Sequence, residues 1–493
     1  MYRRWPEIFL DAPHQLLPGK PLTVWLLAKD ADRFPVRVRS VRFRLWDTWG
    51  QTVNQAFEPE ARFEANLQHL AFPLPVDGFR GELRIDGEIH VEDRRGRRRI
   101  IRNHNYPGIA PTPLEVNLLD APLPYPSGWR AGELHCHSEF TSDHVEFGAP
   151  LALMQQAADA VGLDFVLCTD HSYDFPFWRD DYLEPRDPDE NFAEYRAQAA
   201  ALCAANPALP TIVAGEEISC GNALGENVHL LAFGHPEFIP GNGDGGRQGL
   251  RNRPDLSVDE VLERLGNTPS FAAHPAGHKG RMEQIVLRRG PWRAPDVVPG
   301  KSGRAVRGLQ FWNGTLNTEY GEGKALWVER LLQGQRLLPI GANDAHGDFN
   351  RNVWVKAPLV ALRQGRDHLF GRVRTLAPAS GKDAESLKAA FQGPECVCTD
   401  GPFAGLSLEN GSLRIAAEST RDFGALTTVT VLGAARGEGA ERVAATCDIS
   451  SGGGEGALRI EERIPLPFAR GYVRLEVATA RGRRALTSAL FVE

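Results

Sequence analysis

Histidine and carboxylate side chains stand at the ends of successive apolar runs between residues 132 and 347. The runs end in Glu-Leu-His-Cys-His, Cys-Thr-Asp-His, Gly-Glu-Glu-Ile, Asn-Val-His, Ala-Ala-His-Pro and Ala-Asn-Asp-Ala-His. Residues two apart on a strand project to the same face, so His135 and His137 would face one point, as would Asp344 and His346. Imidazoles and carboxylates are ligands for Zn²⁺, Mn²⁺ and Fe²⁺. The pattern therefore predicts a metal site assembled from several strand ends.

The middle of the chain alternates between helical and strand patterns. Helical periodicity begins near Leu151 and near Phe192, and the stretch from Ser257 to Glu260 has the form of a capping box that opens a third helix. The β-rich segments between them are 164–169, 211–214, 228–233, 270–273, 306–312 and 337–340. Such alternation predicts a parallel sheet covered by helices. A barrel is favoured, with every candidate ligand at the carboxyl end of a strand.

Both ends of the chain have β patterns. Apolar residues alternate with arginines along 36–45, with a phase slip at Ser40 that predicts a bulge or a bend. Prolines recur from Tyr106 to Ser127, which favours an extended connection. After residue 401, alternation around Val473 and glycine-rich turns predict a sandwich. The predicted domains are an N-terminal β domain with a proline-rich linker at 1–127, a barrel at 128–400 and a C-terminal β-sandwich at 401–493.

Composition excludes several classes of protein. A net charge of -7 argues against nucleic acid as a partner. No apolar stretch approaches the roughly 20 residues of a membrane helix, and the first residues lack the apolar core of a secretory signal. The seven cysteines follow no regular framework, which fits reduced thiols. We therefore expect a cytoplasmic protein that acts on a small molecule, and the sequence leaves its oligomeric state open.

The ligand-rich segments resemble the PHP superfamily of metal-dependent hydrolases, named for polymerase and histidinol phosphatase. The matching segments are Glu-Leu-His-Cys-His-Ser, Gly-Leu-Asp-Phe-Val-Leu-Cys-Thr-Asp-His-Ser, Ala-Gly-Glu-Glu-Ile-Ser, Ala-His-Pro and Asp-Ala-His, all within 131–350. The resemblance implies a distorted (β/α)₇ barrel that holds two to three divalent ions, Zn²⁺, Mn²⁺ or Fe²⁺. With the flanking regions, the expected fold class is α/β, a barrel between N-terminal and C-terminal all-β domains.

The resemblance also implies how the candidate ligands divide among the ions. A first ion would be held by His135, His137, Glu217 and Asp344. A second would share Glu217 and be held by His229 and His274, and a third would be held by Asp143, His171 and His346. The register of the family's Gly-x-Glu segment selects Glu217, which leaves Glu216 at the surface or behind the ligands. Asp170, next to a ligand, would point away from the ions and support them.

The implied chemistry is hydrolysis by metal-bound water, because clustered cations lower the pKa of that water and neutralise developing negative charge. His278 is a candidate general acid. The candidate contacts for an anionic substrate are Lys279, Arg281 and Arg351, which follow ligand segments closely. A phosphoesterase acting on a small phosphorylated molecule is the leading hypothesis, because three ions suit the several oxygens of a phosphate.

Two other functions stay open. The turn Trp312-Asn313-Gly314 resembles one found in the carbaryl-hydrolase-like branch, whose members cut an aryl carbamate ester and carry β-rich regions outside the barrel. A carbamate or carboxylic-ester hydrolase is therefore the second hypothesis, although core packing explains Trp312 equally well. The third is a non-catalytic metal-binding scaffold, which the retention of every candidate ligand disfavours. The glycine-rich stretch 241–249 is interpreted as a mobile surface loop near the mouth of the site.

Overall fold

The structure of the protein, a computed structural model, describes residues 5–141, 147–179, 181, 184–245, 252–277, 280–351, 353–357, 360–449 and 456–493. It is mainly β structure, with 41% of residues in strands and 16% in helices. Within these ranges, no helix is long and apolar enough to cross a membrane. The cysteines are free thiols, as their irregular spacing predicted.

The N-terminal region, described from residue 5 onwards, forms two sheets of antiparallel strands apart from one parallel pair. Its strands are β1 (Glu7–Asp11), β2 (Gln15–Leu16), β3 (Leu22–Lys29), β4 (Val36–Asp47), β5 (Thr52–Phe57), β6 (Ala61–Phe63), β7 (Leu67–Leu74), β8 (Gly81–Asp93), β9 (Arg98–Arg102) and β10 (Leu114–Leu118). One sheet has the order β1-β3-β7 and the other β2-β10-β8-β4-β5, with β6 on β4 and β9 on β8.

Two sequence predictions for this region have opposite outcomes. The register of β4 against β8 shifts between Val38 and Ser40, which confirms the bulge. The proline-rich stretch is not merely a connection, because β10 lies inside it and pairs with both β8 and β2. Val116 of β10 is fully buried in the core of the N-terminal sheets. Proline composition could not reveal this strand, since its own five residues contain no proline.

The middle region alternates strands and helices along most of its described length. The strands are β11 (Trp129–Cys136), β12 (Phe165–His171), β13 (Thr211–Gly221), β14 (Asn227–Phe233), β15 (Ser270–Ala273), β16 (Gly308–Asn313), β17 (Leu338–Ala342), β18 (Val353–Ala357), β19 (Val360–Gln364), β20 (Arg374–Pro378) and β21 (Val397–Thr399). The helices are α1 (Leu151–Val161), α2 (Pro188–Ala205), α3 (Val258–Leu265), α4 (Arg281–Val286), α5 (Thr318–Leu332) and α6 (Ala384–Gln392).

The predicted elements of the middle region are confirmed. The three predicted helices correspond to α1, α2 and α3, and each predicted β segment overlaps one of β12 to β17. Ser257 and Glu260 form the capping box, since the side chain of each accepts a hydrogen bond from the backbone N–H of the other. Gly162 ends α1 with φ 81°, a left-handed conformation that glycine adopts without a steric penalty.

The sequence predicted a parallel central sheet, but the sheet contains antiparallel pairs as well. It runs in the order β17-β16-β15-β14-β13-β12-β11-β20, and β14 is antiparallel to both β13 and β15. Only residues 222–226 separate β13 from β14. A parallel return needs a connection of about a dozen residues or more, so this short loop forces a hairpin.

The two ends of this series of strands approach each other. Asp344 N–H, beyond β17, donates to the carbonyl of His135 in β11 at 2.8 Å, and His137 N–H donates to the carbonyl of Ala345 at 2.9 Å. Thr375 Oγ1 in β20 donates to the carbonyl of Gly341 at 2.8 Å. Strand pairing within the described ranges nevertheless closes no complete ring, and the (β/α)₇ barrel stays a prediction.

A buried carboxylate joins these two ends of the sheet. Glu133 in β11 accepts N–H bonds from His135 at 3.2 Å, Asn343 at 3.0 Å and Gly371 at 2.9 Å. The Asn343 side chain donates to it as well. Burial raises the pKa of Glu133, and these donors oppose the rise. Because an unpaired buried donor costs about 1–3 kcal/mol, the network fixes the backbone at Asn343, directly before Asp344.

The C-terminal region adds two facing sheets. Its strands are β22 (Phe403–Glu409), β23 (Ser412–Glu418), β24 (Leu426–Ala435), β25 (Arg442–Thr446), β26 (Arg459–Pro465), β27 (Gly471–Thr479), β28 (Arg484–Thr487) and β29 (Leu490–Val492). The central sheet continues through β20 and β21 into β28, β27, β24 and β25, while β22, β23 and β26 form a separate sheet. Ile415 of one sheet and Leu475 of the other belong to one apolar core. Strands from both sides of the predicted boundary at residue 400 thus belong to one continuous sheet.

Candidate metal centre

The carboxylate of Glu217 lies at the centre of a buried cluster of histidines. Glu217 is in β13 and is 1% exposed. Its Oε1 is 2.5 Å from His229 Nδ1, 3.1 Å from His274 Nε2 and 3.3 Å from His135 Nε2. Its Oε2 is 2.8 Å from His171 Nδ1 and 3.6 Å from His137 Nε2. Five imidazoles therefore surround one carboxylate.

Asp344 supplies a second carboxylate on the more open side of the cluster. Its Oδ1 lies 3.1 Å from His137 Nε2 and 3.2 Å from His135 Nε2. The ring of His346 stacks on that of His137 with 4.0 Å between centroids, and its Nε2 is 3.5 Å from His171 Nε2. The side chain of Asp344 is 22% exposed, whereas those of His135 and His137 are fully buried.

Three overlapping groups of these side chains could hold metal ions, since the ligand atoms of each group lie within 4.8 Å of one another. The groups are His135, His137, Glu217 and Asp344; His171, Glu217 and His229; and His137, His171 and His346. The first group coincides with the ligand set predicted for the first ion. The second contains His171 in place of His274, and the third contains His137 where Asp143 was predicted. Asp143 lies outside the described residues.

The chemistry of these groups fits cations. Buried polar atoms normally have hydrogen-bond partners, yet His135 Nε2, His171 Nδ1 and Glu217 Oε2 have none with acceptable geometry. Distance is not the reason, because His171 Nδ1 and Glu217 Oε2 are only 2.8 Å apart. These atoms belong instead to groups of ligand atoms that lie within 4.8 Å of one another, close enough to share a cation. Nitrogen and oxygen donors without a thiolate suit Zn²⁺, Mn²⁺ or Fe²⁺, and the intervening Cys136 turns away to the carbonyl of Leu167.

Burial and charge pairing set the pKa values of the cluster. Burial alone would lower the pKa of His135, but Asp344 and Glu217 outweigh it and raise that pKa to about 9. Likewise, the nearby carboxylates raise the pKa of His229 to about 9 against the effect of burial. Burial would raise the pKa of Glu217, yet its histidine partners hold it well below 4.5. Without cations, the cluster is held together by these charge pairs.

One edge of the sheet positions every described candidate ligand. His135 lies in β11, His171 ends β12, and His274 directly follows β15. His229 is near the start of β14 rather than at its carboxyl end, which corrects the prediction. Because β14 runs antiparallel to its neighbours, its start lies at the edge where β13 ends.

The geometry predicted for Asp344 and His346 is wrong. Their spacing predicted two side chains on one face of a strand, but β17 ends at Ala342. Asp344 has φ 54°, in the left-handed region that non-glycine residues rarely adopt. A turn therefore brings the two side chains into the cluster, and the alternation rule for strands does not apply to them.

Asp244 was not among the predicted site residues, and it lies in the stretch interpreted as a surface loop. Asp244 is 3% exposed, so that interpretation is wrong for 241–245, while 246–251 lie outside the described residues. Its Oδ2 is 2.7 Å from His229 Nε2, and it accepts bonds from Ser219 Oγ at 2.5 Å and Arg289 Nε at 2.7 Å. A carboxylate behind an imidazole fixes its orientation, and here it turns Nδ1 of His229 towards Glu217.

Gln310, also missed, links two ligands to the Trp-Asn-Gly turn. Its Oε1 accepts the N–H of His274 at 2.9 Å and lies 3.2 Å from His135 Nδ1. Its Nε2 donates to Asn313 Oδ1 at 3.0 Å. Trp312 is 1% exposed and packs edge-on against Tyr320, which fits core packing. Asn313, not Trp312, connects this turn to the cluster.

Asp170 and Glu216 both lie behind the ligands. Asp170 accepts the N–H groups of Ser138 at 2.7 Å and Thr141 at 3.0 Å, and so holds the turn that follows His137. Glu216 faces away from the cluster, where it lies 2.6 Å from His235 Nε2. It is fully buried, so the surface position considered for it is wrong. The two adjacent glutamates occupy opposite faces of β13, as strand alternation requires.

The predicted substrate contacts have different outcomes. Lys279 lies outside the described residues, as does the candidate general acid His278, and Arg281 is described only as the first residue of α4. Arg351 is buried, and its guanidinium donates to the carbonyls of Gly347 and His346, each at 3.3 Å. It therefore supports a ligand loop and does not face a substrate. A different cation, Arg289, lies beside the cluster on Asp244, with its side chain 21% exposed.

Comparison with known proteins assigns no family. No protein-family model and no curated protein sequence matches the chain. Among solved structures, it is similar to a β-D-mannosidase from Dictyoglomus thermophilum at 11% identity and TM-score 0.19, covering 98% of this chain and 66% of that one. It is also similar to trypsin-activated alpha-2-macroglobulin from Escherichia coli at 9% identity and TM-score 0.15, covering 99% and 23%. TM-scores this low say nothing about fold or function.

Replacing Glu217 by glutamine should remove metal from the centre, because the amide lacks the negative charge that two ligand groups share. Glu216→Gln is the matched control, a neighbouring buried glutamate on the other face of β13. It should retain the wild-type metal content. Elemental analysis of protein purified without chelator measures both. Greater loss of metal from Glu216→Gln would show that the strand register has been misassigned.

Metal binding should release protons near neutral pH. Without metal, the pKa values of His135 and His229 are about 9, and a coordinating imidazole must be neutral. Affinity should therefore rise with pH until about 9, where both imidazoles have lost their protons. Titration calorimetry in buffers of different ionisation enthalpy should give about two protons per chain. An affinity that does not change with pH would contradict this electrostatic account.

Proposed function

We propose that the protein is a metal-dependent hydrolase of the PHP type. The observation that carries the proposal is the convergence of His135, His137, Glu217 and Asp344 at one point, with a second and a third ligand group beside it. These side chains come from the segments that resemble the PHP motifs. The approach of β17 to β11 is compatible with a distorted (β/α)₇ barrel, the fold that the resemblance implies.

In this proposal, the three groups hold two to three divalent ions, Zn²⁺, Mn²⁺ or Fe²⁺. When bound, such ions activate water for hydrolysis and neutralise charge on the group attacked. The protein's own contribution is to hold the ligands in place. Asp244 orients His229, and Gln310 contacts His135 and the backbone of His274. Burial keeps these polar contacts away from bulk water, where they would be weaker.

Charge balance favours an anionic substrate. Among the residues that the structure describes, the three groups contain two carboxylates, those of Glu217 and Asp344, and their remaining ligands are histidines. Two divalent ions would therefore leave about two positive charges uncompensated, which a phosphate can neutralise. Arg289 adds a cation at the side of the cluster, held by Asp244 at 2.7 Å. We accordingly propose a phosphoesterase that acts on a small phosphorylated molecule.

A carbamate or carboxylic-ester hydrolase is the second candidate. Asn313, in the turn that resembles the carbaryl-hydrolase-like branch, is bonded to Gln310. Gln310 in turn lies 3.2 Å from the candidate ligand His135. The turn is thus connected to the cluster and is not merely part of the core. An uncharged ester, however, would leave more of the proposed positive charge unbalanced.

A substrate panel tests the choice between phosphoester and uncharged ester. Wild-type protein with Mn²⁺ or Zn²⁺ should hydrolyse 4-nitrophenyl phosphate or its diester faster than 4-nitrophenyl acetate or an aryl carbamate. Arg289→Gln should raise KM about tenfold for the phosphoester, because a charged hydrogen bond is lost, with little effect on the acetate. Arg288→Gln is the control, since Arg288 bonds the carbonyl of Gly225 instead of Asp244.

Two results would change the proposal. Faster ester or carbamate turnover without phosphate release would support the second candidate. Equal KM changes for both substrates in Arg289→Gln would show that Arg289 acts only through Asp244 and His229, and not on substrate charge.

A further inference from the structure

The turn 347–351, which follows the candidate ligand His346, is held by a carboxylate from the other end of the chain. Asp11, the last residue of β1, is fully buried. It accepts the backbone N–H groups of Phe349 at 3.1 Å, Asn350 at 2.8 Å and Arg351 at 3.1 Å. Three successive N–H groups bond to this one carboxylate. They restrict the turn to one backbone conformation, because leaving a buried donor unpaired costs free energy.

Arg351 extends this connection from Asp11 to the ligand itself. Its Nε is 3.4 Å from Asp11 Oδ2, and its guanidinium donates to the carbonyls of His346 and Gly347. Its Nη1 donates to Tyr106 Oη at 3.0 Å. The guanidinium also lies over the ring of Phe9 in β1, 4.2 Å from its centroid. The backbone of His346 is thus bonded by Arg351, which groups of the N-terminal region hold in turn.

Other contacts between the same turn and the N-terminal region reinforce the arrangement. Asn350 Nδ2 donates to the carbonyl of Glu115 in β10 at 2.8 Å, and Glu115 N–H donates back to Asn350 Oδ1 at 3.2 Å. The ring of Phe349 packs against Trp25 of β3 at 5.3 Å between centroids. Three N-terminal strands therefore contact a turn of five residues that begins next to a candidate ligand.

We propose that Asp11 is a positioning residue for the candidate metal centre, and that the N-terminal β region is needed to hold His346 in place for metal. The inference rests on the proposed function to the extent that the centre binds metal. It goes beyond that function because every predicted ligand lies within 128–400, while Asp11 does not. The isolated region 128–400 would lack this support, so the ligands alone are not sufficient for the centre.

Metal affinity of the full chain tests the proposal without reference to activity. Asp11→Asn removes a charge and directs an amide N–H towards the donors of the turn. We expect the Kd for Mn²⁺, measured by titration calorimetry, to rise at least about tenfold, as is typical when support behind metal ligands is lost. Asp47→Asn is the matched control. Asp47 is also a buried N-terminal carboxylate, and it accepts the N–H groups of Trp49 at 2.9 Å and Gln51 at 3.0 Å. Its Kd should remain that of the wild type.

A milder variant covers the case in which Asp11→Asn fails to fold. Tyr106→Phe removes only the hydroxyl bonded to Arg351 and should weaken Mn²⁺ binding by about threefold. Unchanged Kd values in folded Asp11→Asn, or in Tyr106→Phe if the first variant is unfolded, would overturn the proposal. A wild type that binds Mn²⁺ but cleaves no ester would overturn the proposed function, and the Kd comparison would still test the role of Asp11. A wild type that binds no metal would overturn both.

Discussion

The buried carboxylate of Glu217 is the constraint on which the rest of the site depends. It is 1% exposed and lies within 3.6 Å of five imidazoles. A buried negative charge is costly unless cations or hydrogen bonds compensate it. In the metal-free protein, protonated histidines do so, and the pKa values of His135 and His229 rise to about 9. We propose that divalent ions take over this compensation, which would make the cluster a metal centre.

Placing so many ligands around one carboxylate requires several strands and a second layer of support. The strands bring their ligands to one edge of the central sheet, and the antiparallel β14 brings its first residues to that edge. Side chains behind the ligands then fix the backbone and the imidazoles. These supporting residues are Glu133, Asp170, Asp244 and Gln310 from the middle region and Asp11 from the N-terminal region. Most of them are buried carboxylates satisfied by backbone N–H groups.

The sequence predicted local features well, because they depend on neighbouring residues. Helices α1 to α3 and strands β12 to β17 follow from periodicity. Alternation predicted that Glu216 and Glu217 face opposite ways, and the resemblance to the PHP segment selected Glu217 as the ligand. Contacts that span long stretches of chain were missed. Asp11 is 338 residues from Phe349, and no local pattern reports such a pair. Asp244 was missed because its glycine-rich surroundings are typical of a surface loop. The direction of β14, in contrast, could have been predicted, because the loop before it is too short for a parallel return.

The most direct measurement is anomalous X-ray scattering, recorded at the absorption edges of zinc, manganese and iron from crystals of protein purified without chelator. If these residues form a metal centre, a peak should lie within coordinating distance of His135, His137, Glu217 and Asp344, at roughly 2.0–2.2 Å from their ligand atoms. At least one further peak should lie near His171. A map without anomalous density there, in which Glu217 contacts only protonated histidines or water, would contradict the central claim that these residues form a metal centre.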